Sequence, residues 1–224
     1  MINLTYNINE NIPTYGNGEK PSISSGKQMC NGDSCNTMVI NISNHHGTHV
    51  DAPLHFDPNG KSITDYESEF WSCKNVLLVE CRLSPAQILD VETLRSCLSK
   101  SQHSDKNVDA LILKTGWSLR RTSSDYWEKP PGFSPNLATF LRSLFPNLKF
   151  FGFDIISLSS FTNRQLGREA HKEFLAKEPE ILILEDLNLN YFYKNEAALI
   201  SNLLIAPLMV ENSDGSPCTI FANF

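Results

Sequence analysis

The stretch HHGTHVDAPLH, residues 45–55, holds four of the six histidines of the chain together with one aspartate. Imidazole and carboxylate groups bind borderline cations such as zinc, manganese and iron(II), and no thiolate lies among them to favour copper(I) or an iron–sulfur cluster. So many polar groups beside a strand would be costly to bury without partners. The stretch is therefore typical of a metal site with nitrogen and oxygen ligands.

The spacing within this stretch favours an extended chain over a helix. His45 and His49 are four residues apart, as in the zinc-binding helix of metalloproteases. The glycine and the β-branched threonine between them are poor helix formers, however, and the proline that follows would end a helix. In an extended chain His49, Asp51 and His55 point to one side. We therefore expect a turn leading into a strand, with His49 and Asp51 about 7 Å apart at Cα and able to share one ion.

The same spacing does not fix the position of His55 relative to the first ion. At full extension it would lie roughly 13 Å from Asp51. Either the chain bends at Pro53, or His55 addresses something other than the first ion. A histidine just outside the coordination sphere of a metal can carry protons for water that the metal activates. His55 is therefore our candidate general base and acid.

The pattern His-x-Gly-Thr-His-x-Asp-x-Pro-x-His of residues 45–55 resembles the signature of the cyclase family of metal-dependent hydrolases. That family includes bacterial kynurenine formamidase and isatin hydrolase. Residues 32–36 resemble the segment that precedes the signature in the formamidases. Residues 184–187, with His171 upstream, resemble the downstream part of the metal centre. The resemblance runs in order from about residue 2 to residue 207.

The resemblance implies a centre of two divalent ions, zinc or manganese, in each subunit. His45, His49 and Asp51 would hold the first ion, and Asp51 as a bridge would hold the second with His171 and Glu185. Several other glutamates lie near Glu185 in the sequence. Glu185 is preferred because it ends an apolar strand, where an ionised carboxylate requires a cationic partner.

The resemblance also implies an activity, namely amide hydrolysis by metal-activated water with His55 as the proton carrier. The leading substrate is N-formyl-L-kynurenine, which gives L-kynurenine and formate. Tyr15 stands near the place where the formamidases usually have a tryptophan that contacts substrate; it could equally be a surface aromatic residue of a turn. The tyrosine keeps isatin, or another cyclic amide or lactone, as an alternative. A third alternative is a protein that binds a small molecule through its metal without turnover.

Composition and charge set bounds on partners and location. A formal net charge of −6 argues against nucleic acid and anionic membranes, which recruit basic patches. No apolar run approaches the roughly 20 residues of a spanning helix, and the first ten residues do not read as a signal peptide. We therefore expect a cytoplasmic protein with a small-molecule substrate and reduced cysteines. The family resemblance also implies that the protein assembles as a homodimer or homotetramer.

Strands and helices alternate in the second half of the chain, which indicates an α/β fold. We expect a single domain over residues 1–224 with a mixed β-sheet or barrel-like core flanked by helices, of the swivelling β/β/α type that the resemblance implies. His103 is expected to be an ordinary hydrogen-bonded histidine. The strand at residues 38–43 would deliver the signature. The predicted strands are 2–7, 38–43, 76–79, 110–114, 150–156 and 181–184, and the predicted helices are 83–98, 135–145 and 166–175.

Overall fold

The computed structural model describes residues 1–101, 106–194 and 199–224, and His103 lies outside these ranges. The strands described are β1 (Ile2–Asn3), β2 (Ser22–Ser25), β3 (Met38–Asn41), β4 (His49–Asp51), β5 (Ser72–Cys73), β6 (Val76–Glu80), β7 (Ile88–Leu89), β8 (Ala110–Lys114), β9 (Gly132–Phe133), β10 (Phe150–Phe153), β11 (Leu182–Glu185), β12 (Asn202–Pro207) and β13 (Gly215–Asn223). The α-helices described are α1 (Val91–Lys100), α2 (Asp125–Glu128), α3 (Asn136–Leu144) and α4 (Arg164–Leu175).

The main sheet has the strand order β5-β12-β13-β4-β11-β10-β8-β6, with β1 paired to β13. Strands β6, β8, β10 and β11 are parallel to one another, and α1, α3 and α4 connect them in turn. Strands β4, β13, β12 and β5 pair antiparallel. The result is a mixed, barrel-like sheet flanked by helices, which confirms the predicted α/β class.

The two faces of the sheet bury two separate hydrophobic clusters, because successive side chains of a strand point to opposite faces. Phe151 and Ile183 pack on the face that the helices cover, in one cluster with Leu141 of α3 and Phe174 of α4. Phe150, Leu182 and Leu184, which are next to them in the chain, belong to the second cluster, on the other face. Strands buried on both faces read as continuous apolar runs, which is why β8, β10 and β11 could be predicted from the sequence.

Strand β4 lies at the junction of the two halves of the sheet. It pairs antiparallel with β11, with His49 opposite Glu185, and antiparallel with β13, with Asp51 opposite Gly215. Val50 belongs to the second hydrophobic cluster. His49 and Asp51 therefore point to the opposite face, which α4 covers. The predicted turn into a strand is confirmed, since residues 44–48 form turns and bends before β4 begins.

The strand predicted over residues 38–43 is present as β3, but it does not lead directly into the signature. Strand β3 ends at Asn41 and, within the described residues, pairs with β2 alone, in a two-stranded hairpin outside the main sheet. Its four residues are all exposed. Alternation of apolar and polar residues is the pattern of a half-buried strand, but it does not say which surface covers the apolar side. The strand predicted over residues 2–7 is also too long, since β1 spans two residues.

The helices at residues 135–145 and 166–175 are confirmed as α3 and α4. The helix predicted over residues 83–98 begins later, at Val91. Asp90 caps it by accepting a hydrogen bond from the Thr93 backbone N–H at 2.8 Å. The preceding residues form β7, which pairs with β9. Among the described residues, no helix has the length and apolar character needed to cross a membrane.

The expectation that every cysteine is reduced is wrong for one pair. Cys81 directly follows β6, and Cys97 lies on α1. The two are joined by a disulfide across a Cα–Cα distance of 5.5 Å. The bond ties the sheet to the helix that covers it. The free cysteines of the described ranges are Cys30, Cys35, Cys73 and Cys218.

Replacing Phe151 by alanine tests the helix-covered core. The Phe151 ring is fully buried and stacks on Phe174 at 5.2 Å between centroids. We expect Phe151→Ala to lower the free energy of unfolding by about 3–5 kcal/mol, because it leaves a cavity in a packed core. Urea denaturation measures the change. Leu119→Ala, at a side chain that is 58% exposed, is the control and should change stability by less than about 0.5 kcal/mol. Equal losses in the two variants would contradict this packing.

Candidate metal centre

The turn before β4 orients His49. Gly47 has a φ of +69°, in the left-handed region that glycine adopts without strain. Its carbonyl accepts a hydrogen bond from His49 Nδ1 at 2.8 Å. This bond places the proton of the neutral imidazole on Nδ1. The lone pair of Nε2 then faces the cluster, which is the arrangement typical of a histidine that ligates a metal.

One oxygen of Asp51 meets the two histidines of the signature. Asp51 Oδ1 lies 2.9 Å from His45 Nδ1 and 3.3 Å from His49 Nε2. For metal–ligand bonds of about 2.1 Å, the edges of a tetrahedral site measure about 3.4 Å. Each of the two distances is therefore one that a pair of ligand atoms around a single ion can have, with Asp51 as the shared donor.

The other oxygen of Asp51 faces the second predicted group. Asp51 Oδ2 lies 3.6 Å from His171 Nε2, which is 3.5 Å from Glu185 Oε1. His171 Nδ1 donates to the Gly167 carbonyl one turn earlier in α4 at 2.8 Å. As in His49, this bond leaves Nε2 to face the carboxylates. The structure thus brings His171 and Glu185 to Asp51, from segments far apart in the sequence.

The donor set fits divalent cations. Asp51 and Glu185 are 1% and 3% exposed, and both are adjacent to His49 Nε2. Two carboxylates buried side by side are costly unless positive charge lies between them. One ligand atom each from His49, Asp51 and Glu185 lies within 4.8 Å of the others, and His45, Asp51 and His55 form a second such group.

The pKa values of the cluster show the same demand for positive charge. Burial lowers the pKa of His171, but hydrogen bonds to Asp51 and Glu185 outweigh it and raise the pKa to about 9. The same two carboxylates raise the pKa of His49 well above its usual value, against the effect of burial. Protons and divalent cations therefore compete for the same nitrogen atoms.

His55 reaches the centre because the chain bends at Pro53. Residues Pro53–His55 form a 3-10 turn, and the ring centroid of His55 lies 4.2 Å from that of His45. His55 Nδ1 donates to Asp214 Oδ2 at 2.7 Å. Asp214 Oδ2 also accepts from His45 Nε2 at 3.1 Å. The bend that the sequence left open is present, and His55 stands beside the first ligand group.

Sequence reasoning missed Asp214. It directly precedes Gly215, the first residue of β13, and Gly215 pairs with Asp51 in the sheet. The register thus brings Asp214 to the signature from the far end of the chain. Its two histidine partners hold the pKa of its carboxyl well below the usual value, although burial opposes them. An aspartate followed by glycine is ordinary turn chemistry, so the sequence held no specific signal for this residue.

The predicted ligands line a cavity of about 340 Å³. Tyr15 is on its wall, with the ring edge of Phe161 at 5.4 Å between centroids, and its hydroxyl donates to the Ser160 carbonyl at 3.4 Å. Burial raises the pKa of Tyr15. Its position beside the cavity is consistent with the predicted substrate contact. Missed residues of the wall include Phe56, Ile156, Ser159, Arg164 and Arg168.

Ser157 and its neighbour position Glu185. The Leu158 backbone N–H donates to Glu185 Oε1 at 2.6 Å, and the Ser157 hydroxyl donates to the same oxygen at 3.3 Å. These residues follow β10, the parallel neighbour of β11. The loop after one strand therefore orients the carboxylate at the end of the next.

Comparison with known proteins gives the same assignment as this geometry. A family model described as "Putative cyclase" matches residues 2–160. The chain belongs to the cyclase family. Among curated cyclase-family relatives, kynurenine formamidase of Bacillus cereus is 29% identical over 221 residues, which cover 96% of this chain and 93% of the relative. Kynurenine formamidase of Geobacillus thermodenitrificans is 28% identical over 219 residues, again covering 96% and 93%. The predicted class, a cyclase-family hydrolase, is confirmed.

Solved structures confirm the cyclase fold. Isatin hydrolase A from Labrenzia aggregata superposes with a TM-score of 0.75 at 21% identity, covering 99% of this chain and 93% of that one. A structure titled as a potential metal-dependent hydrolase with cyclase activity superposes with a TM-score of 0.72 at 18% identity, covering 99% and 96%. The sheet and helices that position the cavity are therefore those of known cyclase-family proteins.

Replacing Asp51 by alanine tests its central place in the centre. We expect Asp51→Ala to abolish stoichiometric binding of divalent metal, because both ligand groups lose a shared donor. Elemental analysis of dialysed protein measures the metal content. Asp57→Ala is the control, since that carboxylate caps the Asn59 backbone N–H in the following loop and should leave the metal content unchanged. Full metal content in Asp51→Ala would contradict the bridging role.

Proposed function

We propose that this protein is an arylformamidase that hydrolyses N-formyl-L-kynurenine to L-kynurenine and formate. The observation that carries the proposal is the bridging position of Asp51 between two ligand groups, with His55 and Asp214 beside them. Curated relatives along nearly the whole chain are kynurenine formamidases, which supports this substrate.

We propose two divalent ions, zinc or manganese, in this centre. His45, His49 and Asp51 would hold one ion, and Asp51, His171 and Glu185 the other. Nitrogen and oxygen donors without a thiolate suit both metals. When bound, the ions would polarise the amide carbonyl and make water acidic enough to attack at neutral pH.

His55 is the proton carrier of the proposed reaction. Its Nδ1 proton is held by Asp214, which fixes the ring and leaves Nε2 to exchange a proton in the cavity. Nε2 takes the proton of the attacking water and returns it to the departing aryl nitrogen as the carbon–nitrogen bond breaks. A site that only binds a small molecule has no use for this pair, which argues against the binding-protein alternative.

The aromatic residues that line the cavity suit an aromatic substrate. Phe56 stacks on the His171 ring, at 4.6 Å between centroids and 18° between planes. Tyr15 lines the cavity with it. A space of about 340 Å³ is in the range of small-molecule sites. We propose that Phe56 and Tyr15 contact the aryl ring while the formamide lies over the metal ligands.

Isatin, or another cyclic amide or lactone, is the second candidate substrate. Opening a cyclic amide needs the same attack by water and the same protonation of nitrogen. Tyr15, where the formamidases usually have tryptophan by the family resemblance, keeps this candidate open. The deciding experiment measures formate release from N-formyl-L-kynurenine beside ring opening of isatin, with metal-loaded protein. Turnover of isatin alone would replace the leading proposal, and turnover of neither would overturn both.

Replacing His55 separates proton transfer from metal binding. We expect His55→Ala to retain its metal and to lose hydrolysis by about 100-fold or more, because the proton carrier is gone. Metal content and kcat are measured on the same preparation. Asn59→Ala, on an exposed side chain of the following loop, is the control and should keep both. Loss of metal in His55→Ala would make the residue a ligand, and a near-normal rate would refute its role in proton transfer.

We also propose that the protein forms a homodimer through the hairpin of β2 and β3. A two-stranded hairpin is marginally stable unless something packs against it. Met38, Val39 and Ile40 are more than half exposed on it. A second copy of the chain would cover these side chains, and the family resemblance implies a homodimer or homotetramer.

Light scattering after gel filtration tests the homodimer. We expect twice the chain mass for the native protein and a shift toward monomer for the double variant Val39→Ser, Ile40→Ser, because the apolar contact is weakened. Leu199→Ser is the control, because this exposed apolar side chain lies outside the hairpin. A native protein that runs as a monomer at micromolar concentration would refute the proposal.

A further inference from the structure

Arg164 and Arg168 stand at the cavity without a role in the proposed chemistry. Both line it, together with the predicted metal ligands. They lie four residues apart on α4, so they share one face of the helix, and His171 continues that face three residues later. By helix geometry, Arg168 lies about 4.5 Å and Arg164 about 10.5 Å along the axis from His171. One helix therefore presents a buried predicted metal ligand and two exposed arginines to the same cavity.

Neither guanidinium is paired with a carboxylate within the described ranges. The arginines that form ion pairs in that part of the chain are different ones, such as Arg121, which pairs with Asp186. Glu169, the acidic residue next to Arg168, is engaged by the side chain of Gln165 at 3.3 Å. Arg164 has its guanidinium 5.6 Å from the centroid of the Phe161 ring. Arg164 also hydrogen-bonds the side chain of Tyr15, in the same cavity. Two cations without a carboxylate partner thus line the cavity, and the donors that Arg164 does not use on Tyr15 are available for a ligand.

The surroundings of the pair also favour an anion. Arg164 is the first residue of α4, so the positive end of the helix dipole lies near the same cavity. Arg164 lowers the pKa of the nearby Tyr15 phenol, against the larger effect of burial, which shows that its charge reaches the cavity. The protein has a net charge of −6, so two unpaired arginines at one site are a local exception to its charge balance.

We infer that Arg164 and Arg168 form a subsite that binds the carboxylate of the substrate. The inference rests on the proposed function, since it says which residues of the same cavity bind the end of the substrate opposite the formamide. The guanidinium fork matches a carboxylate in a bidentate manner, so the pair selects aryl formamides that carry an acid group over neutral ones. The amide lies at the metal ligands, and the acid lies one to two helical turns away along α4.

Paired substrates test this subsite. N-formyl-L-kynurenine and its methyl ester have the same formamide and differ in the negative charge. With native protein we expect kcat/KM to be about 10-fold or more higher for the acid. In the double variant Arg164→Gln, Arg168→Gln, kcat/KM for the acid should fall by about 10- to 100-fold, mainly through KM, while the ester changes little. Lysine at both positions should restore part of the loss, because charge returns without the fork.

Lys172→Gln is the matched control. It removes one positive charge from the same helix at a side chain that does not line the cavity, and it should leave the acid-to-ester ratio unchanged. Elemental analysis and circular dichroism of each variant verify that metal and fold are retained. Equal effects of the double variant on acid and ester, or an unchanged rate with the acid, would overturn the inference.

A binding measurement separates this inference from the proposed function. If the native protein releases formate from neither substrate, the arylformamidase proposal fails. Calorimetric titration of metal-loaded protein with L-kynurenine then decides the subsite by itself. Binding that weakens at least about 10-fold in the double variant supports it. Equal binding by both proteins, or no binding by the native protein, overturns it.

Discussion

The structure depends on the burial of two carboxylates, Asp51 and Glu185, against shared imidazoles. Each carboxylate would be costly in this interior by itself, so strand β4, strand β11 and helix α4 must hold their donor atoms close together, at the 3.3–3.6 Å observed between them. His49 Nε2 touches both carboxylates at 3.3 Å. Positive charge at this point, from protons or from divalent cations, is therefore a condition for the packing of the three elements.

The mixed topology of the sheet explains how these donors meet. The carboxyl ends of the parallel strands β6, β8, β10 and β11 lie along one edge of the sheet, and Glu185 and the loop containing Ser157 are found there. In open α/β sheets that edge is where ligands bind. Strand β4 runs antiparallel to β11, so its beginning, with His49, reaches the same edge. The antiparallel half of the sheet then supplies Asp214 through β13.

The sequence predicted what depends on local spacing or on continuous burial. The turn into β4, the parallel strands and the place of Glu185 all followed from such patterns, and the family resemblance added His171. Asp214 could not be found, because its bond to His55 spans 159 residues and arises only from strand register. The hairpin of β2 and β3 was misread because an alternating pattern is the same whether solvent, the chain itself or another molecule covers it. Arg164 and Arg168 were missed as well, because charged residues on one face of a helix are ordinarily solvent-exposed and do not by themselves mark a cavity.

Helix α4 links the two ends of the cavity, and one small residue sets its position. A Cβ on Gly167 would lie 2.7 Å from Ser159 Cα, so α4 can pack this closely on the loop after β10 only because residue 167 is glycine. The Gly167 carbonyl also orients His171. The same loop donates to Glu185 through Leu158, so a single close contact fixes both ligands of the second group. The arginines lie on the same helix as His171. The helix backbone would therefore set the distance between the site of the amide and the site of the acid group, and the cavity would select substrates by length as well as by charge.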